Sequence, residues 1–205
     1  MVYSNFILRL LFSSIFIIVY FIIAYIDFKY VFFLILLIYF LILIEIYLNF
    51  KIFKFLPFFY ITISFIFFTM IDFRKEIFLN FNLFILTVIT FDIFSYIVGK
   101  SLGKNKLTKI SPNKTIEGLL GGIFISLFCC LLFSYIFEII INTKLVIFIL
   151  LNIIFAFVGD IIESYFKRKN NLKNSSELIP GHGGVFDRFD SFLFSIIFYS
   201  ISISF

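Results

Sequence analysis

Long apolar runs alternate along the chain with brief polar interruptions, and the runs have the length of bilayer spans. A helix rises about 1.5 Å per residue, so about 20 apolar residues cross a hydrocarbon core. On that measure seven spans are expected, over residues 6–26, 30–48, 56–71, 77–98, 119–141, 144–162 and 189–205. The third and the last are short. The fold class that follows is all-α, a polytopic helical bundle in a membrane. The first run has no small-residue cleavage site behind it and reads as a retained span rather than a signal peptide. Residues 1–75 read as N-terminal spans without a motif. Residues 76–205 carry the polar motifs, in loops expected at 100–117 and 164–188.

Composition sharpens this picture. Of 205 residues, 62% are hydrophobic and 36 are Phe, more apolar surface than a soluble domain of this size buries. The richness in Phe, Ile, Lys and Asn matches an AT-rich coding sequence, so Phe-rich stripes are not read as aromatic boxes. The net charge is +5, but in a membrane protein the position of the cations matters more than their sum. With residues 100–117 in the cytoplasm and spans alternating, thirteen of the 17 Lys and Arg residues fall on the cytoplasmic side. The N-terminus is therefore expected inside, with both polar loops opening on the cytoplasmic face. Cations so placed serve topology and anionic lipid, and call for no nucleic acid partner. Cys129 and Cys130 are adjacent in an apolar run and read as inert thiols, since metal sites use wider spacing.

Charged residues inside the runs are the next signal, because a carboxylate in lipid is costly. Glu45 and Glu138 are read as span-end residues satisfied by water or, for Glu45, by Lys51. Asp92, Ser95, Tyr96 and Gly99 recur at spacings of three and four, so they are expected on one helix face turned toward protein. Ser111-Pro112-Asn113-Lys114-Thr115 combines a turn with a helix start, where free backbone N–H groups suit phosphate. Gly118 and Gly122, with Gly121 beside them, are expected to let two helices approach closely. Asp160, Ser164 and Lys167 share a stripe, either lining a polar cavity or making an ordinary intrahelical ion contact.

The most informative stretch runs from Ser164-Tyr165-Phe166-Lys167-Arg168 to Pro180-Gly181-His182-Gly183-Gly184-Val185-Phe186-Asp187-Arg188-Phe189-Asp190-Ser191. It holds the only histidine, and its Gly-His-Gly-Gly turn lets backbone come close to a ligand. Asp187 and Asp190 lie three apart at a helix start, and paired carboxylates suit Mg²⁺, with Asp160 as a candidate third ligand. Capping by acids in the first turn accounts for one of them only. Arg188, Lys167 and Arg168 are candidates for holding phosphate oxygens. His182 has no partner for a zinc site and is read as a hydrogen-bond donor or a turn residue.

These residues carry a resemblance. Ser164-x-Phe166-Lys167-Arg168, then Lys173, then Pro180-Gly181-His182-Gly183-Gly184-x-x-Asp187-Arg188-Phe189-Asp190-Ser191 resembles the signature of phosphatidate cytidylyltransferases, the CDP-diacylglycerol synthases. Asp92, Tyr96 and Gly99, with Ser111-Pro112-x-Lys114-Thr115-x-Glu117-Gly118, resemble that family's second block. The likeness covers residues 92–191, and it departs where Lys173-Asn174 stands in place of the family's Lys-Asp. It implies cytidylyl transfer from CTP to phosphatidate, giving CDP-diacylglycerol and pyrophosphate at the cytoplasmic face of a bacterial inner membrane. It also implies catalytic roles for Asp160, Lys167, Asp187 and Asp190. Of these, Asp160, Asp187 and Asp190 correspond to Mg²⁺ ligands, and a second, monovalent cation is compatible. Substrate-binding roles fall on Asp92, Ser111, Lys114, Thr115, Ser164, Arg168, Lys173, His182, Gly183, Gly184 and Arg188. Membrane lipid is the solvent, and a homodimer is compatible with this architecture. A CTP-dependent polyprenol or phytol kinase remains an alternative, as does a non-enzymatic scaffold or permease. Polar motifs at span ends rather than at mid-bilayer argue against a permease.

Overall fold

The computed structural model describes residues 15–16, 18–52, 54–74, 77–108, 110–111, 114–178 and 183–203. Helical turns over residues 18–26 form α1. They are followed by α2 (Tyr30–Asn49), α3 (Phe55–Thr69), α4 (Phe78–Leu102), α5 (Ile116–Ile136), α6 (Thr143–Lys169) and α7 (Phe186–Ile203). An isolated antiparallel bridge joins Lys106 to Thr115. Helices α2, α4, α5 and α6 are long and apolar enough to cross a membrane by length and composition, and α3 is a shorter apolar helix.

Local chemistry sets the helix ends. Thr115 caps α5, its hydroxyl accepting the Gly118 N–H at 3.1 Å. Past Ile136 the chain turns at Glu138, whose φ is 55°, so α5 stops short of residue 141 and Glu138 lies outside the helix. The Asn142 side chain accepts the Leu145 N–H at 2.9 Å and caps the start of α6. α6 continues through the polar residues after 162, because Lys167, Arg168 and Lys169 in the last turn suit the negative end of its dipole. It ends where Asn171 takes a positive φ of 57° and the Leu172 N–H returns to the Lys167 carbonyl at 2.9 Å. The expected loops are correspondingly shorter, since residues 100–102, 116–117 and 164–169 are helical.

The chain divides into two compact units, one comprising residues 1–78 and 166–189, the other residues 79–165 and 190–205. In the first, Phe32 stacks on Phe68 with ring centroids 5.0 Å apart. The buried Tyr39 hydroxyl lies 2.6 Å from the Ser64 hydroxyl. Segment 166–189 is fastened to this apolar group: Phe166 meets Tyr60 edge-on at 5.7 Å, and Asn170 Oδ1 accepts the Ile52 N–H at 3.0 Å. In the second unit, Phe84 lies 4.6 Å from Tyr199 and 5.7 Å from Phe192, while Phe155 stacks on Phe194 and Phe198.

The glycines of α5 do what their spacing suggests. A Cβ on Gly118 would stand 2.7 Å from the Ser95 carbonyl oxygen and 2.9 Å from Gly99 Cα. One on Gly122 would stand 2.8 Å from Ser95 Cβ. Small side chains thus bring α4 and α5 nearly backbone to backbone. Ser95 and Gly99 lie on this contact, but Tyr96 is 66% exposed and does not share their face.

Candidate functional site

In the first unit, Asp187 opens α7 and collects donors on both carboxylate oxygens. Lys167 Nζ, from the last turn of α6, reaches Oδ1 at 2.6 Å. Oδ2 accepts the Ser175 N–H at 2.9 Å, the Ser175 hydroxyl at 2.8 Å and the Gly184 N–H at 2.9 Å. The ion pair of Lys167 is thus with Asp187, 20 residues along the chain. Gly183 holds a φ of 87°, a conformation other residues adopt only with strain. Arg168 is exposed and donates to the Leu172 carbonyl at 3.3 Å, and Lys173 and Arg188 are exposed. His182 lies outside the described residues, as do Pro180 and Gly181.

Glu45 belongs to this same group, which corrects its reading as a span-end residue served by water or Lys51. It is fully buried, and its Oε2 accepts the N–H groups of Val185 at 2.7 Å and Phe186 at 3.2 Å. The reason is local: Val185, at the start of α7, has no polar side chain to cap the helix, and a carboxylate from α2 supplies one. The only advance signal was a carboxylate inside an apolar run. Its partner lies 140 residues away, so spacing does not reveal it.

In the second unit, Lys114 forms an ion pair with Asp160 and lies 5.0 Å above the Phe157 ring. The pair is less enclosed than Lys167 and Asp187: the side chains are 18% and 30% exposed, against 14% and 9%. Ser164 stands at 3.5 Å from Asp160 Oδ1, the limit of a hydrogen bond. The Ser191 hydroxyl donates to Asp92 at 2.9 Å, and its N–H donates to Asp190 at 2.8 Å. Asp92, Asp160 and Glu163 all lie within electrostatic reach of Asp190. Four carboxylates and one lysine thus share this neighbourhood. Glu163, fully buried one turn from Asp160, and Ser191 were not singled out as site residues from the sequence.

The remaining residues of the second block organise the loop before α5. Glu117 accepts the N–H groups of Lys104 and Asn105 and the Asn105 amide, the last at 2.8 Å. Ser111 takes the turn, its carbonyl accepting the Lys114 N–H at 3.1 Å. Thr115 spends its hydroxyl on the helix cap, and that cap together with the loop brings Lys114 to Asp160. Among the described residues, no group of three His, Cys, Asp or Glu side chains forms a ready-made metal centre.

The model of the cytidylyltransferase family matches residues 2–205. The chain is 47% identical over 109 residues to a phosphatidate cytidylyltransferase of Bacillus subtilis (strain 168), a match covering 52% of this chain and 40% of that protein. It is 46% identical over 105 residues to a phosphatidate cytidylyltransferase of Staphylococcus aureus (strain COL), covering 50% and 40% respectively. The match thus spans well under half the length of these relatives. With four described helices of membrane-crossing length and these bacterial relatives, the chain is an integral membrane protein.

Proposed function

The chain belongs to the cytidylyltransferase family, and on that footing we propose that it transfers a cytidylyl group from CTP to phosphatidate in phospholipid biosynthesis. A phosphate oxygen of the lipid forms a bond to the α-phosphorus of CTP. The bond between that phosphorus and the oxygen bridging to the β-phosphate breaks, and pyrophosphate leaves. The nucleophile is already an anion, so no general base is required, and positioning with charge neutralisation is the main catalytic task. Two like unit charges at 4 Å repel by about 4 kcal/mol at an effective dielectric of 20, and several such pairs meet here.

The observation that carries this reading is the Ser191 bridge from Asp92 to Asp190, together with the Lys114–Asp160 ion pair in the same unit, in a protein otherwise built for lipid. So many carboxylates are costly in such surroundings unless a cation joins them. Carboxylate oxygens are the donors Mg²⁺ prefers, although these three side chains are not already drawn into a metal centre. Asp160 and Asp190, with Asp92, would hold the ion, which when bound supplies positive charge to the triphosphate. Lys114 serves phosphate from the same neighbourhood; in the other unit, Arg168 and Arg188 are exposed cations suited to phosphate, whereas Lys167 is engaged by Asp187. Asp187, whose oxygens already receive Lys167 and three other donors, is assigned to holding its turn rather than to metal. The excess of Lys and Arg in one set of loops supports a cytoplasmic active site at a bacterial inner membrane.

The test uses membranes containing the full chain, phosphatidate, CTP labelled at the α-phosphorus, and Mg²⁺. Label is expected to enter the lipid phase, and to stay in water when the divalent ion is chelated. Label entering lipid only from γ-labelled CTP would make the protein a CTP-dependent lipid kinase.

A further inference from the structure

We infer that Glu45 is a positioning residue for the cytidylyl-transfer reaction, a role that rests on the function proposed above. Three successive backbone N–H groups at the entrance to α7 end on carboxylates: Gly184 on Asp187, and Val185 and Phe186 on Glu45. The Gly184 backbone is pinned as well, because a Cβ there would run into Glu45 Oε1 and Ser175 Oγ. Phe186 lies against Phe50, with ring centroids 6.1 Å apart, so the helix start is held on its apolar side too.

A cap alone does not require this arrangement. A Ser, Thr, Asn or Asp at position 185 would cap α7 locally, without burying a carboxylate. Supplying the cap from α2 does something a local cap does not. It fixes the path of Gly183 and Gly184, and the start of the helix bearing Arg188, against a helix that carries none of the family motif. Lys167 pairs with Asp187, whereas Glu45 Oε2 alone meets the two N–H groups, at the positive end of the α7 dipole. A negative charge on Glu45 would strengthen both bonds, so charge as well as shape is inferred to set the turn. Gly184 and Arg188 are substrate-binding candidates, and here they are assigned to the triphosphate, so the consequence should appear in CTP affinity.

The experiment compares the purified full-length protein with Glu45→Gln, which keeps the volume and removes the charge. The KM for CTP is expected to rise about ten-fold, as for loss of a charged hydrogen bond. The KM for phosphatidate should change less than about two-fold, and amide exchange at Gly184, Val185 and Phe186 should speed about ten-fold. A folded variant with the parental KM for CTP overturns the inference. If Glu45→Gln fails to fold, Glu45→Asp takes its place, keeping the charge with a shorter reach. An intermediate rise in the KM for CTP then supports the inference, and parental values overturn it. Should the parent transfer no cytidylyl group at all, the proposed function fails separately. Amide exchange then decides whether Glu45 positions the turn, and unchanged exchange at those three residues ends the claim.

Discussion

The two units each contain a lysine paired with an aspartate, and the pairs are built to different ends. Around Asp187 every oxygen is engaged by Lys167, Ser175 and Gly184, and the two charged side chains are nearly enclosed. Around Asp160 the lysine is shared with an aromatic face, the Ser164 hydroxyl stands at 3.5 Å, and the carboxylates of Asp92 and Asp190 lie within electrostatic reach. A closed pair whose carboxylate is saturated by backbone donors serves as a structural lock. An open pair among surplus carboxylates is poised to exchange partners. Under the proposed function the contrast would separate residues that hold the motif from residues that meet the reactants, although Asp160, Lys167, Asp187 and Asp190 lie within one stretch of sequence.

If that division is right, substitution should split function from stability. Asp160→Asn is expected to lower CDP-diacylglycerol formation by about 10³-fold, the scale of removing a group that stabilises transition-state charge. It should cost less than about 1 kcal/mol of stability, since its pair is partly exposed. Turnover within ten-fold of the parent would remove Asp160 from the chemistry. Asp187→Asn should do the reverse in kind, lowering stability by about 3 kcal/mol because it leaves an enclosed lysine without its anion. Thermal unfolding in detergent checks this, and equal losses for the two variants would erase the distinction. Next in size, Gly122→Val should cost about 1–3 kcal/mol by forcing α4 from α5, read in the same unfolding measurement.

The helical class, most span positions and the close α4–α5 approach were legible in the sequence, because hydrophobic runs and Gly-xxx-Gly spacing are local signals. The candidate residues were legible for the same reason: polar groups are conspicuous in an apolar chain. Their partners were not. Asp160, Ser164 and Lys167 share a helical stripe, yet Asp160 takes Lys114 and Lys167 takes Asp187, choices made by tertiary packing. Tyr96 sits at the edge of the Asp92 face, where a small rotation of α4 decides between protein and lipid. Glu45 looked like a boundary residue because the ends of an apolar run do not show which turn is covered by another element. The ends of α6 and α7 moved because charged residues extend a helix as readily as apolar ones when its dipole and caps favour them.

The mildest change bears on the one departure from the family pattern. Asn174 is exposed, and its Cβ and Cγ would stand 3.4 Å from a Cβ on Gly183, where the same Cβ would come 2.5 Å from Asp187 Oδ2. Position 174 thus borders the locked pair. A carboxylate there adds a negative charge beside Asp187, but in contact with water, where repulsion is screened and Lys167 already balances the local charge. Asn174→Asp should therefore shift stability by less than about 0.5 kcal/mol, as surface substitutions usually do. Turnover should stay within about two-fold of the parent, because the change reaches the reaction only through a turn that four donors on Asp187 already hold. A large gain in turnover, measured with saturating CTP and Mg²⁺, would show that a carboxylate at 174 acts on the reactants directly. The locked pair would then border the chemistry rather than merely support it.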